Sequence, residues 1–311
     1  MNKLDYKKTG ILILFVFITI LAIFNISKKN TNTSKADIKT TSTLATNTFN
    51  KNTASKIVPN FNLSLDSNIA LIGNLKTGRV LFQKNADLKT NAASIAKLLS
   101  ASVVLSKLNI SNIININSSI YENLPSKTDL VLDENIKVLD LLKMALIMSS
   151  NDAINALAYH IGYYDFLSSM NQKANEIGMY NSHFDNPIGF DSEGNYSTAV
   201  DLFQLAKYIY NNFPIVGDIT RSNAITITSE SNIKHLVVPT NLIVDKLENY
   251  WGGKTGTTPL AKEALLAIFE LENDNKKYPF VAIIIQSNDR FSDIKKISDW
   301  LSINKIYLTN Y

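Results

Sequence analysis

The order of apolar patterns along the chain constrains its fold more than any other feature. Short apolar runs at residues 69–72 and 80–82 flank a turn at Gly78 and predict a β-hairpin. Near the other end, the continuous apolar runs EALLAIFEL and YPFVAIIIQS are typical of central strands. The stretches between them place apolar residues at helical spacing: SIAKLLSASVVLSKL, VLDLLKMALIMSSNDAINALAYHIG, YDFLSSMNQKANEIGMY and AVDLFQLAKYIYNNF.

Strands at both ends of the globular part are expected to meet in one sheet. We therefore predict an α/β (α+β) fold for residues 58–311, in which helices flank an antiparallel sheet. A helical subdomain is inserted at roughly residues 95–235. A last amphipathic pattern, FSDIKKISDWLSINK, predicts a helix that closes the chain.

The N-terminal segment has the pattern of a signal peptide or a membrane anchor. Residues 1–10 form a basic flank with Lys3, Lys7 and Lys8, and residues 11–26 are a continuous apolar run. As a helix, this run would reach roughly 24 Å, somewhat short of a hydrocarbon core of about 30 Å. No convincing small-x-small cleavage site follows, so an uncleaved single-pass anchor is favoured over a cleaved signal.

Residues 27–57 have the composition of a linker. They are rich in Thr, Asn, Lys and Ser and poor in periodic apolar residues. Such a segment cannot bury enough surface to offset its ordering entropy. We therefore predict a disordered tether between the anchor and the globular domain.

The composition and the missing motifs exclude several kinds of site and partner. The chain has no cysteine, which excludes a thiol nucleophile, a disulfide and a thiolate-rich metal site. Its net charge of +4 is too small to indicate nucleic-acid binding. The H-E-x-x-H and G-x-S-x-G motifs do not occur, and Glu248 stands where a phosphate-binding loop ending in GGKTG needs glycine. We therefore expect no metal ion, no cofactor and no nucleic-acid partner.

A serine–lysine pair provides a candidate nucleophile with its base. Ser94 and Lys97 are three positions apart at the start of a predicted helix, so both side chains lie on one face. A neutral lysine can remove the serine proton, but its pKa must first fall by about 3 units from about 10.4. Burial and a second nearby cation both lower a lysine pKa. The N-terminus of the helix would also present N–H groups to a developing oxyanion.

Three short motifs gain specificity from their order and context. S-x-x-K occurs four times, S-x-N three times and K-T-G three times. Ser94 opens an apolar helix after a hairpin, and residues 149–151 follow another apolar helix. The first Lys-Thr-Gly flanks the apolar N-terminal run and the second forms the predicted hairpin turn. The third, at residues 254–256, follows two glycines and precedes a predicted strand.

In this order the motifs resemble those of penicillin-binding proteins and serine β-lactamases. LKTGRVLFQKNADLKTNAASIAKLLSA, LLKMALIMSSNDAINALA and WGGKTGTTPLAKEALLA are similar to segments of the low-molecular-weight D-alanyl-D-alanine carboxypeptidases, the S11 serine peptidases. The resemblance covers about residues 65–303 and implies a β-lactamase/transpeptidase-like fold. One departure is that Lys262, rather than glycine, follows Ala261, so we expect the strand edge at the cleft to differ.

The resemblance implies three catalytic residues. Ser94 would form the acyl-enzyme, Lys97 would be its general base, and Ser149 would relay a proton to the leaving amine. The implied substrate-binding residues are Asn151, Lys254, Thr255, Gly256, Thr257 and Arg290.

Each substrate-binding residue has an implied task. Asn151 would bind the substrate amide and order the base, and Lys254 would hold the proton-relay serine and lend positive potential. Thr255 and Thr257 would meet the terminal carboxylate, near the basic Arg290. Backbone N–H groups of the nucleophile and of Thr257 would form the oxyanion hole.

The activity implied by the resemblance is removal of the terminal D-alanine from peptidoglycan stem peptides, with β-lactam antibiotics as covalent inhibitors. Together with the predicted anchor, it implies a bacterial cell-membrane protein whose catalytic domain lies on the extracytoplasmic side. Endopeptidase action on peptidoglycan cross-links, by the same machinery, remains open. A β-lactamase is less favoured because the chain has no E-x-x-L-N loop before the last motif. A non-enzymatic scaffold is less favoured because the serine–lysine set is intact, and a penicillin sensor is less favoured because no signalling segment supports it.

Overall fold

The computed structural model describes residues 63–121 and 129–309. All of them belong to one compact unit. The predicted basic flank, apolar anchor and tether lie outside the described residues. In the part of the chain that is described, no helix is both long and apolar enough to cross a membrane.

The described residues form one five-stranded sheet, two small two-stranded sheets and several helices. Numbered along the chain, the strands are β1 (Ile69–Asn74), β2 (Val80–Lys84), β3 (Ile113–Asn115), β4 (Asn135–Lys137), β5 (Ile225–Thr228), β6 (Lys234–Val237), β7 (Tyr250–Thr258), β8 (Lys262–Asn273) and β9 (Lys276–Ser287). The α-helices are α1 (Lys97–Lys107), α2 (Val138–Ile147), α3 (Asn151–Ile161), α4 (Tyr163–Glu176), α5 (Ala199–Asn212), α6 (Pro214–Thr220), α7 (Arg290–Ile303) and α8 (Lys305–Thr309).

The large sheet confirms that the two ends of the globular part meet. It is antiparallel, with the strand order β2-β1-β9-β8-β7. The first hairpin turns at Gly78, whose φ of 75° is the left-handed conformation that glycine adopts without steric cost. β1 then pairs along its whole length with β9, so that Leu71 lies opposite Ile283. β1, which comes early in the chain, is therefore an internal strand of the sheet and needs the late strand β9 as a pairing partner.

Both faces of the sheet are buried. In β1, Ile69 and Leu71 belong to a core shared with the inserted helices, whereas Ala70 and Ile72 belong to a second core with α7. Side chains alternate between the faces of a strand. The apolar runs in β8 and β9 are continuous rather than alternating because each of these strands supplies both cores.

The inserted region is mostly helical, but its described residues also form two small two-stranded sheets that were not predicted from the sequence. β3 pairs with β4, and β5 pairs with β6. Strands of three or four residues are too short to show a clear period. The apolar stretch at residues 138–162 divides into two helices at Ser149, whose φ is 65°.

One expectation about the cleft strand is wrong. Lys254, Thr255 and Gly256 lie inside β7, the edge strand of the sheet, rather than before a strand. The departure at Lys262 leaves the pairing intact, since Lys262 lies opposite Thr258 in the register of β7 and β8. Lys262 adopts a φ of 47°, a conformation that glycine reaches more easily.

A buried carboxylate attaches α7 to the sheet. Asp293 is 0% exposed. Its Oδ1 accepts the N–H of Asp66 at 2.9 Å, and its Oδ2 accepts the N–H of Ser67 at 2.8 Å and the hydroxyl of Ser287 at 2.9 Å. These bonds replace the hydration that the charged group loses on burial.

Asp293→Asn replaces one accepting oxygen with a donor that faces a backbone N–H. We expect it to lower the free energy of unfolding by about 2–4 kcal/mol. Asp299→Asn is the matched control, because Asp299 lies on the same helix in an exposed pair with Lys295, and its loss should stay below about 0.5 kcal/mol. Urea unfolding measures both, and equal losses would contradict the assignment.

Candidate active site

Ser94 lies where three backbone segments are in van der Waals contact. It is part of a 3-10 turn, Ala93–Ala96, that leads directly into α1. A Cβ on Gly256 would lie 2.9 Å from Ser94 N, and a Cβ on Gly189 would lie 2.0 Å from Ala93 O. Glycine permits such a close approach. Both β7 and the loop containing Gly189 are therefore packed against the backbone of the candidate nucleophile.

Lys97 is fully buried beside Ser94 and has three hydrogen-bond partners. Its Nζ is 2.8 Å from Ser94 Oγ, 2.7 Å from Asn151 Oδ1 and 2.8 Å from Ile188 O. The two carbonyl oxygens can only accept hydrogen bonds. A neutral amine would give its two N–H groups to them and direct its lone pair at the Ser94 hydroxyl. A general base needs this arrangement.

Burial and neighbouring cations favour that neutral form. Burial lowers the pKa of Lys97 well below its usual value, and the charge of Lys254 lowers it further. Lys254 is buried too, and burial followed by the charge of Arg290 lowers its pKa to about 7. Both causes that the sequence analysis required for a lysine base are therefore present.

Ser149 occupies the break between α2 and α3. Its left-handed φ of 65° costs a non-glycine residue roughly 1 kcal/mol or more. Ser150 caps α3, with its Oγ accepting the Ala153 N–H at 3.2 Å. The break places Ser149 Oγ 2.8 Å from Lys254 Nζ, which donates to it. Asn151, two residues later, reaches the other buried lysine.

Hydroxyl groups and a guanidinium lie along the cleft strand. Thr255 Oγ1 is 2.6 Å from Thr240 Oγ1. Nη1 of Arg290 donates to Gly256 O at 2.7 Å and to Thr257 Oγ1 at 2.8 Å. Hydroxyl and guanidinium donors are suited to a carboxylate ligand.

The structure brings all the predicted site residues to one cleft of about 260 Å³. Its lining includes Ser94, Ser149, Asn151, Thr255, Gly256, Thr257 and Arg290. Lys97 and Lys254 reach it through their hydrogen bonds to two of the serines. Among the described residues that line the cleft, none carries a carboxylate. The catalytic and binding roles of the nine residues stay predictions.

Sequence reasoning missed Thr240, Gly189 and Phe190, which also line the cleft. A signal for two of them existed in the Asn-Pro dipeptide at Asn186, because Asn-Pro favours a turn. The Asn186 Oδ1 accepts the N–H of Gly189 at 2.8 Å and that of Phe190 at 2.9 Å. Thr240 follows a short, partly exposed strand and had no comparable signal.

Comparisons with known proteins agree with the resemblance. The model of the family described as D-alanyl-D-alanine carboxypeptidase matches residues 25–286. The chain is 29% identical over 255 residues to the D-alanyl-D-alanine endopeptidase of Escherichia coli K12, covering 77% of this chain and 78% of that one. It is 29% identical over 212 residues to the carboxypeptidase DacF of Bacillus subtilis 168, covering 66% of this chain but only 54% of DacF.

A solved structure supports the same fold. The chain is similar to penicillin-binding protein D2 of Listeria monocytogenes in its cefotaxime-bound form, with a TM-score of 0.67 and 27% identity. The match covers 77% of this chain and 98% of that chain.

Ser149→Gly removes the hydroxyl and supplies the residue that adopts this φ most easily. We expect the free energy of unfolding to stay unchanged or to rise by up to about 1 kcal/mol. Acylation by a fluorescent penicillin should slow at least about 100-fold. Ser150→Ala is the control with the opposite pattern, since losing the cap costs about 1 kcal/mol of stability and leaves acylation largely intact. Normal labelling of Ser149→Gly would remove Ser149 from the catalytic group.

Proposed function

We propose a function for this chain on the premise that it belongs to the D-alanyl-D-alanine carboxypeptidase family, the S11 serine peptidases. As a serine hydrolase of that family, it removes the terminal D-alanine from peptidoglycan stem peptides. One observation supports this proposal more strongly than any other feature of the site. The two carbonyl partners of the buried Lys97 leave its lone pair for the Ser94 hydroxyl.

Acylation begins when Lys97 takes the hydroxyl proton of Ser94. The Ser94 Oγ forms a bond to the carbonyl carbon of the penultimate D-alanine, and N–H groups of Ser94 and Thr257 stabilise the oxyanion. The carbon–nitrogen bond to the terminal D-alanine then breaks. Ser149, hydrogen-bonded to the protonated Lys254, passes a proton to the leaving amine. Overall, the amine gains the proton that Lys97 took from Ser94, so Lys97 returns to its neutral form.

Deacylation repeats these steps with water as the nucleophile. Lys97 takes a proton from the water, and the hydroxide adds to the carbonyl carbon of the acyl-enzyme. The ester bond to Ser94 Oγ breaks, and the proton returns to that oxygen. The shortened stem peptide leaves with a new carboxylate.

The terminal carboxylate of the substrate binds at the end of the cleft formed by β7. Thr255 and Thr257 supply hydroxyl donors there, and Lys254 and Arg290 supply positive charge. β-Lactam antibiotics carry a carboxylate near a reactive amide. They therefore acylate the same serine and act as covalent inhibitors.

D-Alanine release from a stem-pentapeptide mimic ending in D-alanyl-D-alanine tests the proposal. Wild type should release one D-alanine per peptide, and Ser94→Ala should release none and lose penicillin labelling. Ser292→Ala is the control, because Ser292 belongs to another S-x-x-K on α7 and should behave like wild type. A wild-type protein that is labelled but releases no D-alanine would exclude a carboxypeptidase.

An endopeptidase is the second candidate, favoured by the similarity to the Escherichia coli endopeptidase. The same acyl transfer would then cleave a D-alanyl bond in a cross-link. A purified cross-linked muropeptide dimer distinguishes the two activities. Conversion of the dimer to monomers at a higher kcat/KM than D-alanine release would assign the endopeptidase.

For location, we propose a single-pass membrane protein. The apolar run at residues 11–26, with its basic flank, supports an anchor. Residues 27–57 would then act as a tether that lets the catalytic domain reach peptidoglycan on the extracytoplasmic side.

Fractionation of cells that carry the full chain tests the anchor and its orientation. The full chain should remain in the membrane fraction after alkaline carbonate extraction, and protease added to spheroplasts should remove the catalytic domain. Deletion of residues 1–26 should move the protein to the soluble fraction. Recovery of the full chain among soluble proteins, or protection from external protease, would contradict the proposal.

A further inference from the structure

Glu263 carries a carboxylate beside the cleft that the proposed mechanism does not use. It lies in β8, opposite Thr257 of β7 on one side and Ser287 of β9 on the other. Residues directly opposite each other in an antiparallel pair project to the same face. Glu263 therefore shares a face of the sheet with Thr257, at the end of the cleft proposed to bind the substrate carboxylate.

The Glu263 carboxylate contacts both the backbone and the side chain of Arg290. Its Oε2 accepts the Arg290 N–H at 3.0 Å, at the first residue of α7. The same oxygen is 3.9 Å from Nε of the guanidinium. The helix has a separate cap in Asp289, whose side chain accepts the Ser292 N–H at 2.9 Å. Glu263 thus fixes the start of α7 relative to the sheet in addition to an ordinary cap.

Arg290 is held on its other side by β7, through its bonds to Gly256 O and Thr257 Oγ1. Its side chain is only 14% exposed, and its Nε is buried without a hydrogen-bond partner. The nearby Glu263 carboxylate supplies the compensating charge that such a buried cation needs. Burial lowers the pKa of Arg290, and this carboxylate opposes the shift.

We propose that Glu263 is a positioning residue for recognition of the terminal carboxylate of the substrate. It holds the Arg290 guanidinium against β7 and offsets part of the positive charge that Arg290 presents to the cleft. The inference rests on the proposed function, because it requires a substrate with a free carboxylate at this end of the cleft.

By offsetting part of the charge of Arg290, Glu263 also affects the protonation of the buried lysines. The charge of Arg290 on α7 lowers the pKa of Lys254, and the charge of Lys254 lowers the pKa of Lys97 on α1. Glu263 on β8 is the carboxylate that acts on the charge of Arg290, whereas the side chain of the adjacent Asp289 caps α7. By weakening the field of Arg290, Glu263 keeps Lys254 protonated to a higher pH.

The wild-type protein should show a bell-shaped pH dependence of acylation. Lys97 must be neutral to act as the base, so the rate rises as the pH increases through its lowered pKa. Lys254 must be charged to hold Ser149 and the substrate carboxylate, so the rate falls as the pH increases through its pKa of about 7.

Glu263→Gln removes the charge but retains an oxygen that can accept the Arg290 N–H. We expect the KM for the stem-peptide mimic to fall about twofold to fivefold, with kcat within about twofold of wild type. The alkaline limb of the pH profile should move to lower pH. Glu263→Ala also removes the acceptor, which loosens Arg290, and its KM should rise. A merely structural role would change both variants in the same direction.

Two further variants complete the experiment. Arg290→Gln removes the cation that acts on Lys254, so its alkaline limb should move to higher pH and its KM should rise. Glu272→Gln is the matched control, because Glu272 lies in the same strand, opposite Lys277 and away from the cleft, and it should match wild type.

Penicillin acylation separates this inference from the proposed function. A penicillin presents a carboxylate to the cleft, and its reaction requires no release of D-alanine. If wild type is acylated but releases no D-alanine, the proposed function fails, and the shifts in the Glu263 variants can still be measured. A Glu263→Gln variant with the wild-type affinity and alkaline limb overturns the inference, as does one that behaves like Glu263→Ala.

Discussion

The burial of two lysines in one cleft is the constraint that the rest of the site satisfies. An ammonium group withdrawn from water costs several kcal/mol unless it is well partnered or gives up its proton. Lys97 has three oxygen partners, and Lys254 has Ser149 Oγ and Thr255 O. The charge of Lys254 also disfavours the charged form of Lys97, and that of Arg290 disfavours the charged form of Lys254. The reactivity that we propose for Ser94 follows from this unfavourable arrangement, since an exposed lysine would stay protonated and could not act as a base.

The packing around the sheet makes this arrangement possible by burying both lysines. Gly256 and Gly189 let two chain segments approach the turn that carries the nucleophile. β7 presents Lys254 and Thr255 from one strand, and a strand holds its side chains in a fixed order. The cations are then graded along the cleft, from the partly exposed Arg290 to the fully enclosed Lys97. In the proposed function, the substrate carboxylate is therefore drawn toward the Arg290 end of the cleft, whereas burial and the charge of Lys254 favour the neutral form of Lys97 at the other end.

Much of this organisation could be predicted from the sequence, because long apolar runs report burial directly. The strands at both ends and the long helices of the insertion have patterns that persist over many residues. The β3–β4 and β5–β6 strand pairs have no such pattern, because strands of three or four residues are too short to show an alternation of apolar and polar side chains. Contacts between residues that are far apart in the chain could also not be predicted from the sequence. One example is His235, whose Nε2 lies 2.8 Å from Glu134 Oε2, 101 positions away in the chain.

Within the site, residue types were predictable but backbone conformations were not. The order of the motifs and the family resemblance located the nine predicted residues, which the structure brings to one cleft. No sequence pattern indicated that Ser149 would adopt a positive φ. None indicated that Lys262 would adopt one at a position where related proteins usually have glycine. Thr240 was missed because its contact with Thr255 depends on how the β5–β6 hairpin is placed. These features are set by tertiary packing, which single-sequence patterns do not carry.

The pairing of β1 with β9 has a consequence for the timing of chemical reactivity. Synthesis proceeds from the N-terminus, so the Ser94 turn is made long before β7 and α7. Until those elements dock, Lys97 lacks both its full burial and the charge of Lys254, and it keeps its proton. An incomplete chain therefore displays a serine no more reactive than any other. The proposed nucleophile is therefore activated only after β7 and α7 have been made, which couples its reactivity to assembly of the sheet.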